Sequence, residues 1–447
     1  MFKFQVISRI YEERVSVVKE YKVGIIGFGT VGAGVAENLL LNHDCIAKRT
    51  GVRPVLHKIA DLDIKTDRGI AIPEGVLTTD AQQVIDECDI VVELVGGTTI
   101  AKKFILTALN AGKSVVTANK ALLALHGEEL FAAAEKNNVN IYYEASVAGG
   151  IPIIKALREG LVSNRIERIY GIMNGTCNYI LTRMEREGAD FAPVLADAQK
   201  LGYAEANPSL DIDGFDTAHK TAILASLAYG KWFGLDSVYV EGIRDLELAD
   251  IACADELGYR IKLLGIIKCD NGAVQMRVHP TLIPGKSLLA GINDVFNGVQ
   301  VEGDTVGQTL FYGRGAGRKA TASAVVADIS DVALNMANNC TRRLPGFVPG
   351  EQFTAQLSID DITSRYYLRL QVKDCAGVIA SITQILASRS INISSLIQHE
   401  HRAEDGSVSL VVLTHPAKEK EIRSALAEIA VLSVNNSPVR LIRIEDF

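Results

Sequence analysis

The sequence predicts an α/β protein of several domains, in which a doubly wound parallel sheet comes first. Its 447 residues are too many for one hydrophobic core, since domains commonly hold about 100–150 residues. The pattern G-x-G-x-x-G lies near the start of the chain, between a short apolar strand and a helix. Strand and helix patterns alternate as βαββαβ at the other end. We therefore expect at least two separately folded parts.

Composition and charge exclude several classes of protein. The chain is 48% hydrophobic and 22% charged, as in ordinary globular proteins. The net charge of −7, without a basic run, argues against nucleic-acid binding. No stretch approaches the roughly 18 uninterrupted apolar residues that a membrane span needs. The seven cysteines lack CxxC spacing, which is typical of a reducing compartment, so we expect a cytoplasmic protein.

Residues 1–20 have neither the apolar centre nor the cleavage site of a signal peptide. We treat them as an N-terminal extension without an assigned role.

The glycine-rich motif follows an apolar strand at residues 22–26 and precedes an apolar helix. In this context Gly27 permits a tight turn, Gly29 lets a pyrophosphate approach the backbone, and Gly32 allows close packing of helix and strand. The helix start adds N–H groups and a dipole that attract phosphate. We predict dinucleotide binding; a plain tight turn is the alternative.

The next strand, residues 54–60, ends at Asp61. A carboxylate there can bind a ribose 2′-OH and favour NAD. Lys65 and Arg68 follow within reach of a 2′-phosphate, which would favour NADP. An ordinary solvated loop is a third interpretation, so the choice of cofactor stays open.

Two further strands end in polar residues. An apolar strand from Asp89 leads into the turn 96–99, which includes Thr98. The strand at 114–117 is followed by Asn119 and Lys120. Because ligands of doubly wound sheets bind at the carboxyl edge, we expect Lys120 to lie in the nicotinamide crevice.

Two glycine-rich loops have open interpretations. The loop 146–152 offers backbone carbonyls that suit a monovalent ion. The turn 313–317 precedes an apolar helix and either closes the nucleotide crevice with N–H groups or is a structural turn.

Residues 202–230 contain five charged side chains that are candidates for a catalytic role. They lie before or inside the start of an apolar helix: Glu205, Asp211, Asp213, Asp216 and Lys220. We predict Asp213 as the helix N-cap. Asp216 and Lys220 are four residues apart and share a helix face. A capping box with a surface ion pair and a catalytic site are both compatible with this pattern.

A second domain begins near Pro152 and contains a polar turn at 174–176. Cys177 follows that turn, and we interpret it as a packing residue because no base is identifiable near it. In the C-terminal part, His399 and His401 alternate on a strand. We interpret them as ordinary strand residues rather than metal ligands.

Five segments together resemble homoserine dehydrogenases over about residues 22–340: GFGTVGAGV, TANKALLA, EASVAGGIPII, GIMNGTCNYIL and GYAEANPSLDIDGFDTAHK. The C-terminal part resembles an ACT-type small-molecule-sensing domain. The resemblance implies a Rossmann-type nucleotide-binding domain, an α+β substrate and dimerisation domain and a βαββαβ ACT-like domain. The corresponding parts are an extension (1–20), the nucleotide domain (21–150 and 315–340), the substrate domain (151–314), a linker (341–361) and the regulatory domain (362–447).

The resemblance implies reversible NAD(P)H-dependent reduction of L-aspartate 4-semialdehyde to L-homoserine, in threonine and methionine biosynthesis. Lys220 would donate the proton, Asp216 would position it, and Lys120 would stand between cofactor and substrate. Glu205 and Asp211 would hold the substrate's amino group. An ammonium beside a developing alkoxide, and acids beside an amino-bearing substrate, agree with this chemistry.

The resemblance also implies ligand-binding residues and partners. The NADP or NAD site would comprise Gly27, Phe28, Gly29, Thr30, Val31, Gly32, Thr98, Lys120 and Gly317. A sodium ion would be held by the backbone carbonyls of Glu144, Val147, Gly149 and Ile151. Threonine would act as an effector through residues 363–447, and a homodimer or homotetramer is expected. Ala376 stands where such sensing domains often have proline.

Two alternatives belong to other classes. Another semialdehyde reductase, such as aspartate semialdehyde dehydrogenase, needs a thiol nucleophile, and no cysteine here has a suitable setting. The non-enzymatic alternative is an amino-acid-sensing protein that retains a nucleotide-binding fold.

Overall fold

The computed structural model describes residues 18–350, 353–402 and 406–447, with the side chains of 399–402 excepted. The predictions for His399 and His401, and most of those for residues 1–20, therefore lie outside the described residues. The chain divides into two compact units. The first contains the described residues up to Asn164, Ala222–Leu235 and the stretch from Phe311 to residue 350. The second contains Arg165–Thr221, Asp236–Leu310 and the described residues from 353 onward.

The first unit is built on a parallel sheet. Its strands are β1 (Lys19–Ile26), β2 (Val52–Ala60), β3 (Leu77–Thr78), β4 (Ile90–Glu93), β5 (Ser114–Thr117) and β6 (Ile141–Tyr142). Their order is β3-β2-β1-β4-β5-β6. The connecting helices are α1 (Thr30–Thr50), α2 (Ala81–Glu87), α3 (Thr99–Asn110) and α4 (Lys120–Lys136). This order places the reversal between β1 and β4, which is the topological switch point of a doubly wound sheet.

The apolar runs of these strands explain the layering. β4 is wholly buried and β1 is buried from Val23 to Ile26, because helices cover both faces of a parallel sheet. β6 ends at Tyr142, and Glu144–Ser146 forms a 3-10 turn. Glu144 turns the chain because its carboxylate accepts the N–H groups of Ile154 and Lys155.

The remaining elements are found mostly in the second unit. Helices are α5 (Gly175–Glu187), α6 (Phe191–Lys200), α7 (Ser209–Ile212), α8 (Phe215–Tyr229), α9 (Leu248–Glu256), α10 (Arg318–Ala337), α11 (Val378–Ser388) and α12 (Glu419–Ala430). The long strands are β7 (Ile166–Ile172), β9 (Tyr259–Asp270), β10 (Ala273–Pro284), β11 (Phe296–Gly303), β12 (Gly307–Arg314), β14 (Thr363–Lys373), β15 (Ile393–Arg402), β16 (Ser407–Thr414) and β18 (Arg440–Ile444). The short strands are β8 (Tyr239–Val240), β13 (Ala355–Gln356) and β17 (Ala417–Lys418). A short helix, Ile153–Lys155, and α10 belong to the first unit, whereas α8 and β12 run from one unit into the other.

The C-terminal part has the predicted order β14-α11-β15-β16-α12-β18. Its sheet does not stand alone. β18 pairs in parallel with β10, so that Thr281 lies opposite Arg443. In the described residues, the long strands from β7 onward therefore form one sheet in the order β12-β11-β7-β9-β10-β18-β14-β16-β15.

Buried charges accompany this junction. Glu445 accepts from Lys268 at 2.6 Å and from Arg277. Arg443 pairs with Glu419 at 2.5 Å and with Glu241 at 2.8 Å. We call these residues the arginine cluster: Glu241, Lys268, Arg277, Glu419, Arg443 and Glu445. The side chains of Arg443 and Glu419 are fully buried.

Candidate active site

The glycine-rich turn between β1 and α1 has the geometry expected of a phosphate-binding turn. Gly27 has φ of +105°, and a Cβ there would lie 2.5 Å from the carbonyl carbon of Leu94. A Cβ on Gly32 would lie 2.1 Å from the oxygen of Gly27. Gly29 has open space around it and no side chain caps the helix it precedes. The helix N–H groups are thus left to an anionic ligand.

The other residues of this turn differ in how far they are buried. Thr30 is exposed, Val31 is half-buried and Phe28 is buried in the core of the unit. Asp61 lies directly beside the turn, because its Oδ2 accepts the N–H of Phe28 at 2.5 Å. Asp63 is paired with Arg68 at 3.3 Å.

A second polar set lies where β4 and β5 end. The buried Glu93 carboxylate accepts the hydroxyl of Thr117 at 2.8 Å and the N–H of Val95 at 2.9 Å. Asn119 caps α4 through the N–H of Leu122 and donates to the carbonyl of Gly97 at 2.7 Å. Lys120 is the first residue of α4 and is half-buried. Lys120 therefore follows a turn that the hydrogen bonds of Asn119 stabilise.

Glu93 was not predicted from the sequence as a site residue, because it ends an otherwise apolar strand. Burial raises the pKa of its carboxyl group. A charged residue that closes an apolar run is the signal that would have found it.

The remaining cofactor and sodium predictions fall on exposed or tightly turned backbone. Thr98 directly precedes α3, and Gly317 precedes α10 with φ of +109°. In the predicted sodium loop, Ala148 and Gly149 both have positive φ. A Cβ on Gly149 would lie 2.3 Å from the oxygen of Gly315. The two glycine-rich loops of this unit are thus in direct contact.

In the second unit, three chain segments meet around Asp216. Lys220 donates to Asp216 Oδ2 at 2.7 Å and to the carbonyl of Met173 at 2.6 Å. Asn174 donates through Nδ2 to Asp211 Oδ1 at 2.7 Å and to Asp216 Oδ2 at 2.8 Å. We call this set the carboxylate cluster. Asp216 and Lys220 are buried, with 4% and 7% of their surface exposed, whereas Asp211 is half-buried.

Opposing effects act on the pKa of Asp211 within the cluster. Burial, and then the charge of Asp216, raise the pKa of the Asp211 carboxyl group. Hydrogen bonds from Asn174 and Thr176 act in the opposite direction. Asp211 is therefore a carboxylate whose ionisation depends on its neighbours.

The prediction for Asp213 is wrong. Helix α8 begins at Phe215, directly after Gly214, whereas Asp213 is the C-cap residue of α7. Its carboxylate pairs with Arg244, 31 residues later, at 3.0 Å for Nη2 to Oδ2. Neither Asp213 nor Asp216 thus serves the capping box that we considered.

Glu205 lies on the exposed loop between α6 and α7. Its backbone carbonyl accepts a hydrogen bond from the side chain of Gln199 at 3.0 Å. Its role towards a substrate stays a prediction. Lys120 and Lys220 belong to different units, so their action on one substrate also stays a prediction.

Cys177 is buried in α5, as expected of a packing residue. Its thiol donates to the carbonyl of Asp211 at 3.2 Å. Burial raises its pKa well above the ordinary value, so it is not an activated nucleophile. Residues 18–350, 353–402 and 406–447 contain no group of three or more His, Cys, Asp or Glu that could hold a metal ion.

Comparison with known proteins covers nearly the whole chain. Residues 152–330 match the family model described as homoserine dehydrogenase, and 27–144 match that of its NAD binding domain. Residues 366–432 match the ACT domain. The homoserine dehydrogenase of Neisseria gonorrhoeae is 46% identical over 433 residues, which are 96% of this chain and 99% of that protein. That of Pseudomonas aeruginosa is 47% identical over 96% of this chain and 99% of the relative.

The chain belongs to the homoserine dehydrogenase family. Among solved structures, a homoserine dehydrogenase from Thiobacillus denitrificans has a TM-score of 0.90 at 45% identity, covering 96% of this chain and 99% of that one. A hyperthermophilic archaeal homoserine dehydrogenase in complex with NADPH has a TM-score of 0.59 at 29% identity, with 70% and 97% coverage.

Membership of the homoserine dehydrogenase family confirms the predicted fold class, the C-terminal ACT domain and the class of enzyme, an NAD(P)-dependent oxidoreductase. In the described parts of the chain, every helix is too short or too polar to cross a membrane.

Proposed function

We propose that the chain reduces L-aspartate 4-semialdehyde reversibly to L-homoserine, and that the carboxylate cluster supplies the proton and the grip on the substrate. The observation that carries this is the pair of bonds from the Lys220 ammonium to Asp216 and to the carbonyl of Met173. Both acceptors favour the charged form of the amine. A positioned ammonium can stabilise an alkoxide as it forms and can then give it a proton.

Each group of the cluster then has one task. When bound, the nicotinamide cofactor supplies the hydride that the aldehyde carbon accepts. Lys220 transfers a proton to the former aldehyde oxygen, which becomes the hydroxyl of homoserine. Asp216 holds Lys220 in place. Asp211 accepts N–H bonds from the substrate's amino group, and Glu205 adds negative charge to the same end of the substrate.

The residues of the first unit fit a nicotinamide dinucleotide. Gly29 leaves room for a pyrophosphate, and the start of α1 offers N–H groups to it. Thr98, Lys120 and Gly317 complete the proposed cofactor site. Asp61 beside the turn favours NAD by its charge, whereas Lys65 and Arg68 favour NADP. Since Arg68 is already paired with Asp63, we propose that NADH is accepted.

Finer proposals concern regulation, assembly and compartment. We propose that threonine inhibits the enzyme through residues 363–447 and that the protein is a cytoplasmic homodimer or homotetramer. The support for regulation is the family match to an ACT domain whose sheet continues that of the substrate domain.

A sodium ion held by carbonyls of Glu144, Val147, Gly149 and Ile151 is also proposed. The carbonyl oxygen of Glu144 accepts the N–H of Val147, and that of Ile151 accepts the N–H of Ile153. Each retains a second lone pair for a hard cation. Melting temperatures in sodium, potassium and lithium chloride at equal ionic strength would test it. A sodium-specific rise supports the site, and identical values contradict it.

Steady-state kinetics test the main proposal. Oxidation of NADH and of NADPH is followed with aspartate 4-semialdehyde, with and without threonine. We expect turnover with NADH and a lower rate in threonine. No turnover with either cofactor would overturn the proposed function.

A further inference from the structure

Asn174 is the residue that connects the two carboxylates of the cluster. It directly precedes α5, is 5% exposed, and contacts three separate segments of the second unit. Its Oδ1 accepts the N–H of Cys177 at 2.8 Å. Both hydrogens of its amide are used, one for Asp211 and one for Asp216. From the sequence, this position was predicted only as part of a polar turn.

Capping of α5 does not require an asparagine. A cap needs one side-chain oxygen, and Ser, Thr or Asp supplies it about as well. The amide nitrogen takes no part in the cap. It bonds instead to the two carboxylates, at 2.7 and 2.8 Å. The choice of residue thus points to the carboxylates rather than to the helix.

We propose that Asn174 is a positioning residue that holds Asp211 and Asp216 ionised and at a fixed separation, so that one binds the substrate's amino group while the other orients Lys220. This inference rests on the proposed function of the cluster. An N–H donor bonds more strongly to a carboxylate than to a protonated carboxyl group, because the ionised oxygen is the better acceptor. The bridge therefore favours the ionised form of both acids.

The charges that face the bridge determine what it accomplishes. Asp211 and Asp213 come from α7 and its end, Asp216 and Lys220 from α8, and Cys177 from α5. Asp213 is neutralised by Arg244, and the Cys177 thiol stays protonated because burial raises its pKa. The half-buried carboxylate of Asp211 matches a substrate that carries an ammonium group of its own.

Removal of the bridge has a defined sign. Asp211 already has a raised pKa through burial and the charge of Asp216. Loss of the Asn174 N–H would raise it further. Since the active cluster needs the carboxylate, the acidic limb of kcat/KM should move to higher pH.

Two variants retain the helix cap while they alter the bridge. Asn174→Asp keeps an oxygen for the Cys177 N–H, removes both donors and adds a third carboxylate. We expect kcat/KM at neutral pH to fall about 100-fold, as for two lost charge-assisted bonds. The acidic limb should move up by about one pH unit or more, because like charges raise each other's pKa.

Asn174→Ser keeps the cap and adds no charge, so it serves if the first variant does not fold. We expect about a 10-fold loss and a smaller upward movement of the limb. Asn178→Ser is the matched control, because it makes the same change at a buried asparagine of α5 whose amide bonds to the backbone carbonyls of Ile292 and Asp294 rather than to the two acids. It should keep the acidic limb of the unaltered protein.

The outcomes separate this inference from the proposed function. If the unaltered protein turns over and both Asn174 variants keep its pH profile, the bridge is wrong and the function stands. If the unaltered protein shows no turnover, the function fails. The carboxyl stretch in infrared difference spectra then tests the bridge directly. A protonated carboxyl band that appears at higher pH in Asn174→Ser supports it, and identical titrations overturn it.

Discussion

The second unit contains two buried groups of charged residues that differ in their balance. In the arginine cluster, carboxylates such as Glu445 and Glu419 are each bound by Lys or Arg side chains. In the carboxylate cluster, Lys220 bonds to Asp216, and the neutral side chains of Asn174 and Thr176 donate to the acids. The first group satisfies its charges internally, as a structural junction does. The second keeps unneutralised charge at a half-buried acid, as a binding site does.

The two groups also differ in where their residues come from. The arginine cluster joins β10 of the substrate domain to β18 and α12 of the C-terminal domain. The carboxylate cluster is built from the starts and ends of α5, α7 and α8. If this contrast is correct, substitutions in one group should affect stability, and substitutions in the other should affect turnover.

The largest expected effect is on Lys220. Lys220→Ala should lower kcat about 1,000-fold, since general acid catalysis contributes roughly 10²–10⁴-fold. Binding of the cofactor, measured by fluorescence titration, should be retained. Lys200→Ala is the control, because Lys200 is exposed on α6, and it should retain full activity. An unchanged kcat in Lys220→Ala would show that the proton comes from elsewhere.

Glu445→Gln tests the other side of the contrast. It leaves Arg277 and Lys268 without their buried partner, so the free energy of unfolding in urea should fall by about 3–5 kcal/mol. The kcat of the folded protein should be unchanged. Asp446→Asn, which affects a more exposed pair with Arg365, should cost less than about 1 kcal/mol. Equal losses for the two variants would refute a structural role for the arginine cluster.

Asp211→Asn should separate function from stability within one residue. We expect KM for aspartate semialdehyde to rise about 10–100-fold, the loss of one charge-assisted bond. Stability should not fall at neutral pH. Because the folded-state pKa of Asp211 is raised, ionisation of this group disfavours the folded state above that pKa. The difference from the unaltered protein should therefore vanish as pH falls and Asp211 is protonated. A large stability loss at neutral pH would place Asp211 with the structural charges.

The smallest effect is expected at Asp213. Its pair with Arg244 is partly exposed, so Asp213→Ala should change stability by less than about 1 kcal/mol. Its kcat should stay within about twofold. A larger loss of kcat in steady-state assays would mean that Asp213 belongs to the carboxylate cluster.

Local chemistry explains which features were predictable from sequence. The structure has the tight turn expected at Gly27 and the close packing expected at Gly32, whereas the approach of a pyrophosphate to Gly29 stays a prediction. The helix containing Asp216 and Lys220 was likewise expected from its apolar spacing. Asp213 was assigned wrongly because Gly214 separates it from α8 and a distant arginine binds it.

Non-local pairing explains what sequence analysis did not find. Asn174 acquires its significance only when α5, α7 and α8 meet, and no spacing along the chain indicates that meeting. Pairing of β18 with β10 is equally non-local, since Arg443 lies opposite Thr281 although the two residues are far apart in the chain. The predicted meeting of Lys120 and Lys220 is of the same kind and still awaits a test.

The shared sheet has a practical consequence for experiments on regulation. Deletion of the chain from residue 363 onward would strip β18 from β10 and expose a row of unpaired backbone groups there. It would also leave Arg277 and Lys268 as orphaned cations in an apolar layer. A shortened protein that ignores threonine could simply be a misfolded or aggregated one. Point substitutions on the far strands β15 and β16, with the edge of β10 left covered, are the sounder way to ask whether threonine acts through this domain.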